Sequence, residues 1–134
     1  MDFLIQDLIQ RRTQKSDKNG GSHFYHAACT FIPKKCKKLT YGMNHFTCQS
    51  RLDMSVHAEI DALTKLKPRN ETKQFKKINL LIIRTTKNGK LCMSKPCSQC
   101  CQDMARIVPR LGYKLEWIYY STASEEIHRM KLDL

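Results

Sequence analysis

Hydrophobic residues in the first third of the chain follow two different spacings. Residues 3–9 place apolar side chains at helical intervals, which predicts an amphipathic helix close to the start. Residues 23–32 and 36–43 are rich in aromatic and β-branched side chains, and Pro33 lies between them. Two such segments separated by a short turn are typical of a β-hairpin. The pattern therefore predicts one helix followed by two antiparallel strands.

The rest of the chain alternates between helical and strand patterns. Residues 56–66 repeat apolar side chains on one helical face, and Ser55 is the predicted N-cap of this helix. Residues 78–83 form a nearly unbroken apolar run, as expected of a central strand that is covered on both faces. Residues 97–107 predict another helix, preceded by a proline, and residues 115–120 predict another strand.

The order of these elements predicts the fold class. Helices that alternate with strands favour a single α/β domain over residues 1–134, with two or three layers around a mixed sheet of about five strands. Only fourteen residues follow Tyr120, which is too few for a crossover and a further parallel strand. Residues 127–132 are therefore predicted to form an antiparallel last strand, with a short helix as the alternative.

Composition limits where the protein works. The chain has 134 residues, of which 41% are hydrophobic, so it can build a core and is not a disordered basic tail. No apolar stretch approaches the roughly 20 residues of a membrane-spanning helix. The acidic residues near the start do not resemble a secretory signal. We therefore expect an intracellular, cytoplasmic protein without a membrane partner.

The formal net charge of +12 indicates anionic partners. Lys and Arg number 24 against 12 Asp and Glu, so attraction to nucleotides or nucleic acid is expected. Basic residues concentrate in residues 34–38 and 65–77. Both segments have two interpretations, a solvated charged surface and a phosphate-binding patch.

Seven cysteines without a secretion signal favour metal binding, catalysis or core packing over disulfides. His57 and Glu59 lie at the predicted start of one helix, and Cys97 and Cys100 lie at the start of another. Because Cys97 and Cys100 are three residues apart, both thiolates face the same way from a first helical turn. One imidazole and two thiolates suit Zn²⁺ and leave the fourth tetrahedral position to water.

These residue types together describe a hydrolytic site. Zinc lowers the pKa of a bound water, and a carboxylate that does not ligate the metal, here Glu59, can carry protons. The two helix N-termini are also expected to lower the pKa of the cysteine thiols. The alternative is a structural zinc site of four cysteines, Cys92, Cys97, Cys100 and Cys101, which is awkward because adjacent helical residues diverge.

The segments His57-Ala58-Glu59 and Pro96-Cys97-Ser98-Gln99-Cys100 resemble the motifs of the zinc-dependent cytidine/deoxycytidylate deaminase superfamily. The resemblance runs from about residue 23 to residue 120 and implies a three-layer α/β/α domain. It implies a Zn²⁺ ion held by His57, Cys97 and Cys100. It also implies that Glu59 moves protons while water replaces a ring amino group, which leaves as ammonia.

Three more residues are implied to contact substrate. Asn44, in Gly42-Met43-Asn44, resembles the end of a G-x-N segment whose amide binds the sugar in the family. Ser94 resembles the family position whose backbone carbonyl orients the leaving amine, and Ala58 is placed in the same set.

The sequence resembles two subgroups of the family at once. His57 in place of a cysteine resembles the deoxycytidylate and tRNA-editing deaminases, whereas the short C-terminus resembles the free-cytidine deaminases. The main expectation is conversion of cytidine, CMP or dCMP to the uracil product. The alternatives are deamination of adenosine in tRNA or of cytosine in a single strand, and a non-catalytic, zinc-stabilised nucleic-acid-binding protein. The resemblance also implies a homo-oligomer, either a dimer or a tetramer.

Overall fold

The computed structural model describes residues 1–16, 24–46, 55–69 and 74–132 of the chain. Its helices are α1 (Asp2–Ser16), α2 (Ala58–Thr64) and α3 (Ser98–Arg110). Its strands are β1 (Phe24–Ile32), β2 (Lys37–Met43), β3 (His45–Phe46), β4 (Ser55–Val56), β5 (Lys76–Thr86), β6 (Leu91–Cys92), β7 (Tyr113–Ser121) and β8 (Ile127–Met130). Position 23 and part of the basic segment 65–77 lie outside the described residues. No helix in the described ranges is long and apolar enough to cross a membrane.

The main sheet is mixed and follows the order β2-β1-β5-β7-β8, with short β6 also paired to β5. Strands β5 and β7 are parallel, and the other pairs in this sheet are antiparallel. The predicted mixed sheet and antiparallel last strand are therefore confirmed, and the alternative of a final helix is wrong. The sheet has six strands where about five were expected, because residues 91 and 92 add a short sixth strand.

Helices cover the sheet on both faces, so the domain has the expected three layers. Helix α1 buries Leu4, Ile5 and Leu8 on one face, against side chains of β1 and β5 that include Leu81 and Ile83. Helices α2 and α3 pack on the opposite face, where the buried core consists mainly of Ala28, Ala58, Ala62, Leu63, Leu80, Ile82, Met104, Val108 and Ile118. The run at 78–83 is buried throughout, since alternate residues of β5 face the two helical layers.

Both site-bearing helices begin later than the sequence pattern predicts. Residues 55 and 56 pair with β3 as the short strand β4, so Ser55 is not the N-cap of α2. The N-cap is His57, whose backbone is extended. In the same way Cys97 is the extended N-cap of α3, and its Sγ accepts a hydrogen bond from the Cys100 N–H. One predicted metal ligand therefore lies at each N-cap, where its side chain projects past the end of the helix.

Strand β2 and helix α2 approach each other closely at Gly42. A Cβ atom added at this position would lie 2.3 Å from the Ala62 nitrogen and 2.6 Å from the Ala58 carbonyl oxygen. Both are backbone atoms, so the clash is relieved only if the whole helix moves. Because α2 carries Glu59 and follows His57, Gly42 positions one half of the candidate site.

We expect Gly42→Ala to lower the free energy of unfolding by about 3 kcal/mol, because the new methyl group forces α2 away from the sheet. Urea denaturation measures this change. The matched control is Gly112→Ala, where φ is +87° and the added Cβ meets the Arg69 side chain rather than a helix backbone. That strained but local change is expected to cost about 1 kcal/mol. Equal losses in the two variants would contradict the close-packing explanation.

Candidate metal centre

The candidate site lies at one end of the sheet. Helices α2 and α3 both begin there, beside the carboxyl ends of the parallel strands β5 and β7. This edge of an open α/β sheet is where ligands are commonly bound, because helix N-termini and loops converge on it. The loop from β6 to α3 contributes Cys97, and the connection from β4 to α2 contributes His57.

The structure brings the three predicted metal ligands together. The ligand atoms of His57, Cys97 and Cys100 all lie within 4.8 Å of one another. His57 Nδ1 is 3.0 Å from Cys100 Sγ, and the Cys100 N–H donates to Cys97 Sγ at 3.4 Å. Tetrahedral zinc would separate such nitrogen and sulfur atoms by about 3.6 Å and two sulfurs by about 3.8 Å. The donor set fits zinc after the His57–Cys100 pair opens by about 0.6 Å and the widest pair, at up to 4.8 Å, closes by about 1 Å. The half-exposed His57 side chain has room for such a shift.

The four-cysteine alternative does not assemble. Within the described residues, His57, Cys97 and Cys100 are the group whose ligand atoms cluster closely enough to hold a metal ion. Cys101 follows Cys100 on the helix, but its Sγ is directed to the Pro96 carbonyl oxygen, 4.0 Å away. A helix separates adjacent side chains by about 100°, so the two sulfurs cannot serve one ion. Cys101 also packs against the core as a small hydrophobic residue.

Glu59 lies beside the three ligand residues without belonging to their cluster. Its side chain is only 5% exposed, and its Oε1 is 3.7 Å from His57 Nδ1. Glu59 is also close enough to the Cys100 thiol to raise its pKa. A carboxylate with so little access to water is rare unless it has partners or a function. Glu59 is therefore next to the donor atoms and oriented toward them, as a proton-carrying group must be.

The pKa of the Cys100 thiol is raised, whereas the sequence predicted that the helix N-terminus would lower it. Burial raises the pKa of its thiol, and the hydrogen bond and negative charge of Glu59, followed by Cys97, raise this pKa further. The expected lowering by the helix N-terminus is wrong for Cys100, because desolvation and the adjacent carboxylate outweigh the helix dipole. A bound cation would reverse the balance, since a coordinating thiol loses its proton.

Asn44 follows β2 and is held by the neighbouring strand β1. Its Oδ1 accepts a hydrogen bond from the backbone N–H of His26 at 3.4 Å. His26 in turn stands opposite Arg84 on the neighbouring strand β5. Burial lowers the pKa of His26, and the charge of Arg84 lowers it further, while Glu59 opposes them. Asn44 is thereby held next to residues that interact electrostatically with the candidate site.

His26 and Arg84 are residues that the sequence analysis missed as neighbours of this site. They are far apart in the chain and belong to no motif, so only the pairing of β1 with β5 brings them together. A signal was nevertheless present, because each is a charged or titratable residue near the end of a strand otherwise rich in apolar side chains. Such polar residues at strand ends are candidates for a site.

Ser94 is buried in the loop that leads to α3. Its hydroxyl donates to the Ile82 carbonyl oxygen at 2.8 Å, and its N–H donates to the Ser121 carbonyl oxygen at 2.9 Å. The Ser121 N–H and hydroxyl both donate back to the Ser94 Oγ. These bonds fix the loop to β5 and β7 without using the Ser94 carbonyl oxygen. Ser94 therefore anchors the segment that presents Cys97.

Ala58 is fully buried as the first residue of α2. Its small side chain belongs to the core between the sheet and the two helices. The 0% exposure includes the backbone of Ala58 as well as its side chain. The structure assigns it a packing role, and its place among substrate contacts remains a prediction.

Comparison with protein-family models and with curated proteins finds no match for this chain. Solved structures do match it. The dCMP deaminase from the cyanophage S-TIM5, in apo form, is 17% identical with a TM-score of 0.51, over 91% of this chain and 85% of that chain. This chain has the cytidine deaminase fold. The cytidine deaminase from Mycobacterium leprae also matches, at 14% identity and a TM-score of 0.49, over 92% of this chain and 91% of that one.

Proposed function

We propose that this protein is a zinc-dependent hydrolytic deaminase that converts a cytosine nucleoside or nucleotide to the uracil product and ammonia. The observation that carries the proposal is the convergence of His57, Cys97 and Cys100 within 4.8 Å, next to the buried carboxylate of Glu59. A purely structural zinc site needs four protein ligands and has no use for such a carboxylate. The fold, shared with a dCMP deaminase, supports the same chemistry.

His57, Cys97 and Cys100 would hold the zinc ion, which would supply a Lewis acid that makes water a nucleophile near neutral pH. Glu59 would take the first proton of the attacking water at Oε1 and pass it to the ring nitrogen. It would then take the second proton from the newly attached hydroxyl group and pass it to the departing amine, so that C=O forms as the C–N bond breaks. The overall change replaces a C–NH₂ bond by C=O and consumes one water for each ammonia released. Burial of Glu59 keeps these proton transfers away from bulk solvent.

The other residues in the proposal bind the substrate. Asn44 would hold the sugar through its side-chain amide, and its acceptance of the His26 N–H fixes the orientation of that amide. The anchored Ser94 would present its carbonyl oxygen to the leaving amine, and the backbone of Ala58 would contact the base. A dimer or tetramer of this chain in the cytoplasm completes the proposal, with neighbouring subunits closing the pocket.

Deamination of a base within tRNA or single-stranded nucleic acid is the second candidate. The observation that favours it is the net charge of +12, which suits a polyphosphate backbone. The antiparallel strand β8 favours the first candidate, because the family's free-cytidine deaminases end in such a hairpin. We therefore rank free nucleosides and nucleotides first.

A substrate panel on the zinc-loaded protein tests this choice. We expect ammonia release and the accompanying absorbance change with cytidine, CMP or dCMP, at a kcat/KM at least about 100-fold above that with a single-stranded oligonucleotide, because the pocket selects the reacting base. Adenosine, and uridine as the product that has no amino group to lose, serve as negative controls. If the oligonucleotide is the only substrate in the panel that releases ammonia, the second candidate, deamination within nucleic acid, is established. No ammonia from any substrate, with zinc fully bound, would contradict the enzymatic proposal.

A further inference from the structure

The face of the sheet that carries α1 is only partly covered. Helix α1 packs on β1, β5 and β2, which form one half of this face. Over β7 and β8 the described residues provide no comparable helical cover. The two faces can be told apart along β5, where Leu81 and Ile83 face α1 while Leu80 and Ile82 face the other two helices.

This open half carries four cations around one tryptophan. Lys77 pairs with Lys114, Asn79 pairs with Trp117, and Tyr119 pairs with Arg129. Residues 77, 79, 81 and 83 of β5 all face the α1 side, because every second residue of a strand points the same way. The residues that pair with them on β7 therefore face this side too. The guanidinium carbon of Arg129 is 4.0 Å from the centroid of the Trp117 ring, and Lys131 Nζ is 4.8 Å from it. We call Lys77, Lys114, Trp117, Arg129 and Lys131 the Trp117 patch.

A break in strand register creates this grouping. The pairing of β5 with β7 shifts between Ile78 and Asn79, so that Glu116 is an extra residue in β7. Simple alternation would place Lys114 and Trp117 on opposite faces, because they are three residues apart. The bulge instead brings both to the face of α1.

The cations of the Trp117 patch are exposed, and no acid among the described residues neutralises them. Lys77, Lys114, Arg129 and Lys131 are all solvent-exposed, and Trp117 is half-buried. In the described portions of the chain, none of the four forms an ion pair with a carboxylate. Among the described residues, Glu116 in the bulge is the carboxylate nearest in sequence to Lys114, and it makes no such pair. The patch therefore presents four positive charges to solvent.

We propose that the Trp117 patch binds single-stranded nucleic acid, which is a role beyond the proposed deamination. Its cations match a phosphodiester backbone, and Trp117 with the guanidinium plane of Arg129 offers a surface on which a base can stack. A second copy of the chain is a poorer occupant. A two-fold interface would place the same four cations against themselves, and like charges repel.

The patch is remote from the candidate metal centre. Lys77 and Lys114 lie near the amino ends of β5 and β7, whereas the metal centre lies near their carboxyl ends and on the opposite face. A base stacked on Trp117 is therefore not the base that would react in the same chain. Nucleic-acid binding and deamination can thus fail independently.

The chain contains a single tryptophan, so its fluorescence reports on this patch alone. We expect oligothymidylate and oligouridylate of about 15 nucleotides to quench it, with affinity falling steeply as salt rises. The variant carrying Arg129→Gln and Lys131→Gln should bind labelled oligonucleotide about tenfold more weakly in ~100 mM salt. The slope of the logarithm of its binding constant against the logarithm of the salt concentration should be smaller in magnitude by about 1.4. The two oligonucleotides distinguish RNA from DNA as the ligand. The control, Arg106→Gln with Arg110→Gln, removes two exposed cations from α3, on the opposite face of the sheet, and should change affinity less than about twofold.

Several results would overturn the proposal. Equal weakening in the control would mean that overall charge, and not the patch, attracts the strand. Unchanged Trp117 fluorescence with oligonucleotides, together with quenching by phosphatidylserine vesicles, would identify a lipid surface as the occupant. If the protein forms dimers at high concentration, and the Arg129→Gln and Lys131→Gln changes dissociate them, the occupant of the patch is a second copy of the chain. None of these measurements depends on turnover, so an inactive deaminase would leave the binding result valid.

Discussion

Replacing Glu59 by glutamine is expected to lower kcat on the preferred cytosine substrate by about 10³-fold while the protein keeps its zinc. Glutamine has the shape of glutamate and can still hydrogen-bond, but it cannot take a proton from water at Oε1. Glu59 is the carboxylate whose Oε1 lies 3.7 Å from His57 Nδ1, so its replacement removes the base next to the donor atoms. The measurement is the rate of ammonia release at saturating substrate, alongside the zinc content of the same sample.

The matched control is Glu126→Gln, which makes the same chemical change at an exposed carboxylate on the loop before β8. Its kcat should stay within about twofold of the unchanged protein, because solvent screens the charge of this exposed carboxylate. Full turnover by Glu59→Gln with zinc still bound would refute the proton-transfer role. Loss of zinc from Glu59→Gln would instead show that the carboxylate supports the metal ligands.

The sequence predicted the elements that depend on short-range patterns. The apolar run at 78–83 identified β5 because a strand covered by helices on both faces must be apolar on both. The spacing of Cys97 and Cys100 identified one half of the candidate site, since residues three apart share a helix face. The antiparallel strand predicted at residues 127–132 is present as β8, which pairs with β7.

Features that depend on pairing between distant residues were not predictable. The start of α2 shifted to Ala58 because β3 and β4 pair with each other, which the helical pattern of residues 56–66 does not reveal. The contact of Gly42 with α2 has no local signature beyond a glycine in a strand. The bulge at Glu116, which places Trp117 beside the cations, is likewise set by the partner strand.

The pKa of a buried group is another property that a local pattern does not determine. A cysteine at a helix N-terminus is expected to ionise easily, yet burial raises the pKa of the Cys100 thiol. The helix dipole acts at a partly solvated end, whereas the buried sulfur loses its hydration and faces the Glu59 carboxylate. Zinc uptake should therefore release protons, because the ligand must be a thiolate.

Replacing Cys100 by serine is expected to abolish stoichiometric zinc binding and, with it, activity. A serine hydroxyl stays protonated near neutral pH and is a poor ligand for zinc, so only His57 and Cys97 would remain. Zinc content should fall from about one ion per chain to below about one tenth, and turnover should fall by at least about 10³-fold. Elemental analysis of the purified protein and the ammonia assay measure the two effects.

Cys101→Ser is the control that distinguishes the two possible ligand sets. Cys101 is adjacent in the chain, but its Sγ faces the Pro96 carbonyl oxygen rather than His57. This variant should retain full zinc, and its activity should recover after chelation and re-addition of zinc, whereas Cys100→Ser should not recover. If Cys101→Ser lost zinc as completely as Cys100→Ser, four cysteines would be holding a structural ion. The position left for water would then be filled by sulfur, and hydrolysis at this site would have no route.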